Sequence, residues 1–329
     1  MARVLTRSGT WVVLHGAPLQ SGTGRRVAVI IEPAHPARIT SLLTKDGLEL
    51  LAWAPPPGGA SGTFFERGIG GYDDCFPNIA PGLDDSAVES MLPDHGQLWS
   101  REWLKRGHSV LSGSASAHLE CRLAEPDALV CRSILLTDNT ATITVTIRNL
   151  GAKPFPYMWA GHLLLAMQDD DLLTMPNSSV SVDSTSAQFG RELDLRSLDA
   201  GAPETGILWE NLPDHFFLKS YLRWPIEGVL LSRSGKSIQI TAETDRTSDP
   251  LYLGLWINRA GFPENRPASH LGIEPSTSSA DSLEDAILNG SAKILVPGSI
   301  FTAEFRISVS PERSAHHIRR RGTQHKERQ

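Results

Sequence analysis

The chain has 329 residues, of which 40% are hydrophobic and 21% are charged, a composition that is typical of a globular protein and excludes an intrinsically disordered one. Its formal net charge of −6 at pH 7 argues against a nucleic acid as the main partner, because nucleic-acid binders usually concentrate basic residues on one face. No apolar run approaches the roughly 20 residues of a membrane-spanning helix, and the run at residues 11–15 is too short for the core of a signal peptide.

Alternation of apolar and polar residues, rich in β-branched types, predicts strands along most of the chain. We expect strands at residues 27–31, 128–136, 140–148, 229–231, 237–241, 292–295 and 301–309. Turn-forming pairs such as Ser234-Gly235 and Pro297-Gly298 separate them. Helical periodicity is confined to residues 280–288, where we expect one short helix. Many strands at short spacing with few crossover helices favour a large antiparallel β-sandwich over a parallel α/β sheet.

Two segments predict long loops. Residues 55–71 are rich in Pro and Gly, and residues 173–202 are rich in Ser and Asp. Long loops on a rigid β scaffold often carry binding residues. No internal repeat or linker interrupts the chain, so residues 1–310 are predicted to form a single domain. Residues 311–329 contain a basic run and no apolar periodicity, and we expect them to form a frayed, solvated tail.

The three cysteines are Cys75, Cys121 and Cys131, an odd number whose spacing matches no zinc pattern. Cys121 and Cys131 lie in apolar, strand-like segments, so we expect buried free thiols and a reducing compartment. A cytoplasmic location is therefore the expectation. The sequence has no Gly-rich phosphate loop and no cluster of metal ligands, so we expect neither a cofactor nor a metal.

Three segments that are far apart in the chain carry candidate proton-transfer groups. His95 lies in a Pro-Asp-His-Gly turn, His162 follows Gly161 in an apolar stretch, and Glu274 lies between Ile273 and Pro275. A histidine can donate or accept a proton near neutral pH, and a buried carboxylate gains proton affinity and can act as a base. Taken singly, each residue also fits a structural role, as a core histidine, a packed loop histidine or a strand-end glutamate that reaches solvent.

The order and flanks of these segments resemble the aldose 1-epimerase, or galactose mutarotase-like, family. Residues 70–79 resemble the family segment before the first histidine, and residues 295–299 resemble the late Pro-Gly turn before the final strand. The resemblance implies the large β-sandwich of that family and an isomerase that interconverts the α and β anomers of a sugar. It implies that His162 is the general acid on the ring oxygen, Glu274 the general base on the anomeric hydroxyl and His95 a sugar ligand.

The sequence departs from the family pattern at the sugar contacts. Many galactose mutarotases carry an Asn-Arg pair well before the first histidine, and its arginine contacts the sugar. Here Asp73, Asp74 and Asn78 occupy the corresponding region, so we expect Asp74 and Asn78 to contact the substrate instead. The family also has a sugar-binding aspartate between the second histidine and the glutamate, for which Asp214 is the candidate. The sugar, and whether it is acidic or phosphorylated, stays open.

Several other residues are candidates for lining the pocket. If another cation replaces the family arginine, Lys219 or Arg259 is expected to point into the site. Trp99 and Trp256 have flat apolar faces on which a sugar can stack. Arg101 is a further candidate. Exposed salt bridges or core packing are the alternative roles for each of these residues.

Two other classes of function compete with the isomerase. One is a carbohydrate-binding protein on the same scaffold without catalysis. The other is a glycan lyase or hydrolase, since related sandwiches occur in such enzymes. A lyase usually pairs its base with a Tyr or Arg that neutralises a uronate, and a hydrolase needs two suitably spaced carboxylates, for which Asp74 and Glu274 are candidates. The fold alone does not separate these functions, because function depends on the site. The oligomeric state is not indicated.

Overall fold

The computed structural model describes most of the chain. The described residues are 12–15, 28–32, 37–44, 46–54, 62–83, 91–111, 114–137, 139–176, 204–225, 227–263 and 267–311.

Short strands make up most of the described structure. The strands of the first half are β1 (Val12–His15), β2 (Ala28–Glu32), β3 (Arg38–Leu43), β4 (Trp53–Ala54), β5 (Ile69–Cys75), β6 (Gly82–Leu83), β7 (Met91–Leu92), β8 (Leu104–Leu111), β9 (Ser114–Leu123), β10 (Ala128–Leu136) and β11 (Thr140–Asn149). Those of the second half are β12 (Phe155–Tyr157), β13 (Ala160–Leu165), β14 (Leu172–Pro176), β15 (Glu204–Leu208), β16 (Phe216–Arg223), β17 (Val229–Arg233), β18 (Lys236–Thr244), β19 (Tyr252–Phe262), β20 (Ala268–Ser276), β21 (Lys293–Leu295) and β22 (Ile300–Pro311). The helices are α1 (Leu283–Leu288) and the 3₁₀ turns Phe65–Arg67, Leu98–Ser100 and Trp209–Asn211.

The described strands form two large antiparallel sheets of nine strands each. The first sheet has the order β1-β2-β3-β5-β13-β20-β19-β16, with β4 paired to β5. The second sheet has the order β15-β14-β17-β18-β22-β11-β10-β9-β8. The pairs β12-β21 and β6-β7 form two small ribbons. The prediction of a large antiparallel β-sandwich is confirmed.

The main core lies between the two sheets. Strand β11 alternates between buried and half-buried residues, so that Ile143, Val145 and Ile147 point inward. Tyr72 of the first sheet stacks on Phe305 of the second, with ring centroids 5.6 Å apart. Face-to-face packing of two sheets explains why the strands of the second sheet show the period of two that the sequence displays.

The central strands of the first sheet are buried on both faces. All residues of β5 and β13 are buried, and so are the last seven residues of β20. Their inner face belongs to the core. Their outer face is partly covered by a second apolar cluster that includes Ile79, Leu92, Met158, Leu283 and Ala286. Burial of this outer face matters because it carries polar side chains, as described below.

Local sequence patterns predicted several of the strands and the one short helix correctly. The strands expected at residues 128–136 and 140–148 are confirmed as β10 and β11, and the short helix is confirmed as α1. Ser282 caps α1 and accepts a hydrogen bond from the backbone nitrogen of Asp285 at 3.0 Å.

The two expected long loops are partly wrong. Residues 62–71 include a 3₁₀ turn and the start of β5, and residues 173–176 belong to β14, which pairs with β15 and β17. The rest of both segments, residues 55–61 and 177–202, lies outside the described residues. Residues 312–329 lie outside them as well, so the division into a domain of residues 1–310 and a tail stays a prediction.

The described cysteines are free thiols. Cys75 and Cys121 are buried, whereas Cys131 is only half-buried because its side chain lies on the outer face of the second sheet. No helix in the described part of the chain is long and apolar enough to cross a bilayer.

Candidate active site

The register of the first sheet brings the candidate acid and base together. Strand β13 pairs with β20 so that Leu163 lies opposite Ile273, and the same register sets His162 opposite Glu274. Strand β5 pairs with β13 so that Asp73 lies opposite His162. Residues directly opposite each other point to the same side of a sheet. Asp73, His162 and Glu274 therefore share the outer face, while Leu163 and Ile273 enter the core.

Two glycines open space on this face. Gly254 of β19 lies opposite Glu274, and a Cβ atom added there would lie 3.3 Å from the Cβ atom of Glu274. Because Gly254 has no side chain, Lys219 from β16 can reach across β19 to the carboxylate. Gly272 of β20 lies opposite Trp256, and a Cβ atom at Gly272 would approach Oε1 of Glu274 to 2.8 Å. The glycines thus leave room for the carboxyl group of Glu274.

These side chains line a cavity of about 170 Å³. A single water needs about 10–15 Å³ by this measure, so the cavity has room for on the order of ten waters or one small organic molecule. Its polar lining includes His95, His162, Lys219, Trp256, His270 and Glu274. The cavity therefore unites the three residues of the predicted proton-transfer site with two of the further candidates, Lys219 and Trp256.

The turn that carries His95 is fixed by backbone contacts to the segment after β5. The backbone nitrogen of His95 donates a hydrogen bond to the carbonyl of Ile79, and that of Gln97 donates to the carbonyl of Phe76 at 2.8 Å. His95 has a φ of 60° and Gly96 a φ of 71°. A Cβ atom at Gly96 would lie 2.4 Å from the carbonyl oxygen of Phe76, which explains the glycine in this turn.

Aromatic stacking orients the His95 ring. Phe64 lies parallel to it, with ring centroids 3.7 Å apart and an interplanar angle of 4°. The Nδ1 atom of His95 lies 3.1 Å from a carboxylate oxygen of Asp94. The ring of His162 meets that of His95 edge-on at 4.9 Å. The two histidines are thus held side by side at the cavity.

An ionic network surrounds Glu274. Its Oε1 atom lies 3.8 Å from Nε2 of His162, and its Oε2 atom accepts a hydrogen bond from Nζ of Lys219. The same Nζ atom lies 3.7 Å from a carboxylate oxygen of Asp281, which accepts a hydrogen bond from the Tyr221 hydroxyl. Lys219 therefore holds one oxygen of Glu274 and leaves the other directed toward His162.

Burial shifts the pKa values of the pair in opposite directions. Burial raises the pKa of the Glu274 carboxyl above its usual value, against the opposing effect of the Lys219 ammonium. Burial also lowers the pKa of His162 well below its usual value, with further lowering from the neighbouring charges of His95 and Lys219. The pKa of Lys219 is raised, because Glu274 and Asp281 outweigh the effect of its burial. Lys219 is therefore charged at neutral pH and His162 is neutral.

Asp74 lies on the other face of the sheet from Glu274. It is adjacent to Asp73 in β5, and neighbouring strand residues point to opposite faces. Its carboxylate faces the interior of the sandwich, where it accepts hydrogen bonds from Nε of Arg132 at 2.7 Å and from the indole of Trp159 at 3.1 Å. Asp74 does not line the cavity, and Asp74 and Glu274 do not form the two-carboxylate pair of a hydrolase.

Asn78 and Trp99 support the turn of His95 from behind. The Asn78 amide donates to the carbonyls of Ala80 at 2.7 Å and Pro93 at 2.8 Å. The Trp99 indole donates to the carbonyl of Asp94 at 2.6 Å, and its ring meets Phe64 edge-on at 5.8 Å. Their polar groups hold the loop together, and neither residue lines the cavity.

Asp214 and Arg259 pair with each other outside the cavity. Nε of Arg259 donates to a carboxylate oxygen of Asp214 at 2.9 Å, and the guanidinium also donates to the backbone carbonyl of Trp209. The side chain of Asp214 is 78% exposed, and Arg101 is exposed as well. Asp214 and Arg259 were each predicted to bind the sugar, but they form an ion pair with each other outside the cavity.

Sequence reasoning missed several residues that border the cavity, among them Phe64, Asp94, His270 and Asp281. His270 had a signal, because it precedes Glu274 by four residues, and even spacing puts both on one face of a strand. Phe64 and Asp281 had none, since they reach the cavity from connecting segments. Among the described residues, no group of three or more His, Cys, Asp or Glu side chains is placed to hold a metal ion.

Comparison of the whole fold with solved structures gives consistent matches. A galactose mutarotase-like protein from Clostridium acetobutylicum is 11% identical with a TM-score of 0.63, and the match covers 94% of this chain and 98% of that one. The chain has the galactose mutarotase-like fold. A galactose mutarotase related enzyme from Lactobacillus acidophilus is 15% identical with a TM-score of 0.58, covering 88% and 96% of the two chains. A candidate aldose 1-epimerase from Klebsiella pneumoniae is 14% identical with a TM-score of 0.64, covering 94% and 83%.

No protein-family model matches the sequence, and no curated protein is similar to it.

Proposed function

We propose that the protein is an aldose 1-epimerase-like isomerase, which interconverts the α and β anomers of a sugar by acid/base ring opening. The observation that carries the proposal is the pairing of Glu274 and His162, whose Oε1 and Nε2 atoms lie 3.8 Å apart on the wall of a cavity. The names of the structural neighbours, which include galactose mutarotase-like proteins, support the same class of substrate.

The reaction needs one base and one acid. Glu274 takes the proton of the anomeric hydroxyl while His162 gives a proton to the ring oxygen. The bond between C1 and the ring oxygen breaks, and C1 becomes a carbonyl carbon. The open aldehyde then rotates about its C1–C2 bond and closes again with the two roles reversed, so that protons and electrons balance over the cycle. Each positioned proton transfer typically accelerates a reaction by ~10²–10⁴-fold.

The shifted pKa values suit this exchange. Burial raises the pKa of Glu274, which strengthens its carboxylate as a base. Burial lowers the pKa of His162, which makes its protonated form a stronger acid. The productive form has ionised Glu274 and protonated His162.

The remaining cavity residues hold the reacting groups and the sugar. Lys219 binds Oε2 of Glu274, which leaves Oε1 free to face the substrate. His95, fixed by its stack on Phe64, is placed to bind a sugar hydroxyl. The indole of Trp256 offers a flat face to the C–H groups of the ring.

A sugar-binding protein without catalysis is the second candidate. The ion pair between Lys219 and Glu274 favours it, because an ammonium that neutralises the carboxylate also weakens it as a base. The isomerase requires a Glu274 carboxylate with enough proton affinity to act as a base, whereas the binding protein does not. Burial raises that proton affinity and so favours the isomerase.

Saturation-transfer NMR over a panel of hexoses, pentoses and acidic sugars tests the proposal. The wild-type protein is expected to accelerate anomer exchange of at least one sugar above its spontaneous rate. Glu274→Gln is expected to reduce that exchange by about 10²-fold or more while the sugar still binds. The matched control is Asp214→Asn, a change of a carboxylate outside the cavity. Binding without accelerated exchange in the wild type would support the binding protein, and neither binding nor exchange would overturn both candidates.

A further inference from the structure

His270 is a third histidine of the cavity, and its ring is held in one tautomer. The residue is 4% exposed, and its Nε2 atom accepts a hydrogen bond from the Trp256 indole at 3.0 Å. An indole nitrogen only donates, so Nε2 is an acceptor and carries no proton. Burial lowers the pKa of His270 to about 4, so the ring is neutral at neutral pH. The single ring proton is therefore on Nδ1.

The Nδ1–H group of His270 makes no hydrogen bond to any residue in the described part of the chain. A ring N–H donor without a protein partner usually binds water or a ligand oxygen. Since His270 lines the cavity, an acceptor within the cavity is the available partner.

The position of His270 on β20 sets which part of a ligand it can reach. His270, Gly272 and Glu274 alternate along one face of this strand. Four residues of strand span roughly 13 Å, so His270 and Glu274 stand at opposite ends of the ligand space. Gly272 between them has no side chain, and a Cβ atom there would lie 2.8 Å from both Oε1 of Glu274 and Cβ of Trp256. The space above Gly272 is therefore taken up by the Glu274 carboxyl group and the Trp256 side chain, and no side chain of β20 itself separates His270 from Glu274.

Trp256 is held firmly enough to fix the histidine. Its ring packs against Phe217 with centroids 5.7 Å apart and against Phe262 edge-on at 5.9 Å. The indole therefore has little freedom to turn its N–H group away from Nε2 of His270. Trp256 acts through His270 as a positioning residue, in addition to forming a wall.

We propose that His270 is a sugar-binding residue whose Nδ1–H group donates a hydrogen bond to an oxygen on the side of the sugar remote from the anomeric carbon. This inference rests on the proposed function, because Glu274 is taken to mark the anomeric end. The protein accordingly selects sugars that carry an oxygen acceptor at that remote position.

Paired changes of protein and sugar test this role. His270→Phe removes the donor and keeps an aromatic ring. For the best sugar of the panel, it is expected to raise KM about threefold to tenfold, the usual range for one neutral hydrogen bond, and to leave kcat within about twofold. The assay is then repeated with monodeoxy analogues of that sugar. For one remote deoxy position, the wild type and His270→Phe should have equal KM values, because the acceptor is already gone. His118→Phe, a change on the second sheet, is the control.

A second readout follows the ring itself. In the wild type, ¹⁵N NMR of His270 is expected to show a protonated Nδ1 and an unprotonated Nε2, with Nδ1 shifting when the sugar is added. Trp256→Phe removes the indole N–H and is expected to give a mixture of tautomers. An unchanged KM in His270→Phe, an equal penalty for every deoxy sugar, or an Nδ1 signal that no bound sugar shifts would each overturn the inference. If the wild type catalyses no anomer exchange, the proposed function fails, while the response of Nδ1 to bound sugar still decides the role of His270.

Discussion

His162 and Glu274 face each other across two neighbouring strands, β13 and β20, with Nε2 and Oε1 3.8 Å apart. Their meeting is set by sheet register, because Leu163 pairs with Ile273 in the same ladder. A slip of one residue would turn the side chains of one strand to the other face and separate the pair. The backbone ladder of a buried sheet thus fixes the geometry of this pair more rigidly than a loop would.

Joint removal of acid and base should reveal that they act in one step. Glu274→Gln and His162→Gln are each expected to lower kcat by about 10²-fold or more. The double variant is expected to lose much less than the product of the two, because residues that act as a unit are not additive. Anomer exchange at equilibrium measures all three variants. Losses that multiply would show that the two residues do not share a step.

Lys219 should set the acid limb of the activity. Lys219→Met removes the charge that opposes the burial effect on Glu274, so the pKa of Glu274 is expected to rise further. Since the base works only when ionised, kcat/KM is expected to fall on the acid side at a higher pH than in the wild type, and to recover as the pH is raised. Lys236→Met, which removes an ion pair with Asp46 away from the cavity, is the control. An unmoved acid limb in Lys219→Met would contradict this role.

The sequence predicted the sandwich because several described strands of the second sheet are buried on one face only. Strands β10 and β11 have one face in the core and one toward solvent, which produces the period of two. Strands β19 and β20 escaped prediction for the opposite reason. They are largely buried on both faces, and their outer faces mix polar site residues with glycines, as at Trp256, Gly272 and Glu274.

The sequence predicted the types of residue in the site more reliably than the individual positions that contribute them. Asp73 and Asp74 are adjacent, and only the pairing with β13 shows that Asp73 shares a face with His162 while Asp74 enters the core. Asp214 and Arg259 are far apart in the chain, so their mutual ion pair is not visible in the sequence. Such outcomes depend on long-range register, which local periodicity does not contain.

Asp74 is expected to stabilise the fold and to make no contact with the sugar. Asp74→Asn leaves the guanidinium of Arg132, 1% exposed, without its ionic partner. Loss of one partner of a buried ion pair is expected to lower the free energy of unfolding by about 3–5 kcal/mol, as measured by urea denaturation. The exposed pair of Arg122 and Asp127 is the comparison, where Asp127→Asn should cost less than about 1 kcal/mol. A raised KM in folded Asp74→Asn would instead favour a sugar-binding role.

The buried, neutral His270 is expected to make the stability of the fold decrease in acid. The pKa of His270 falls from 6.5 when unfolded to about 4 in the folded protein, so below pH 6.5 the unfolded state binds the proton and the folded state does not. Stability is therefore expected to decrease as the pH falls from 6.5 toward 4, by about 2 kcal/mol between pH 7 and pH 5 from His270 alone. Urea unfolding at the two pH values measures the decrease. His270→Phe should lose this part of the pH dependence, and an identical slope in the variant would refute the assignment.

The charge of the cavity should discriminate against anionic sugars. Lys219 points into the cavity, but Glu274 and Asp281 already contact it, and Asp94 adds a further carboxylate to the lining. For the described lining, carboxylates thus outnumber ammonium groups. The 6-phosphate or uronate of the best neutral sugar is expected to have a kcat/KM about tenfold or more below that of the neutral sugar at low ionic strength, with a smaller difference at high salt.

Asp94→Asn should raise the ratio of the kcat/KM for the anionic sugar to the kcat/KM for the neutral sugar. The use of a ratio removes any general effect on His95, whose Nδ1 atom Asp94 contacts at 3.1 Å. The exposed control Asp214→Asn should leave the ratio unchanged. A preference of the wild type for the phosphorylated or acidic sugar would show that a cation outside this lining dominates binding.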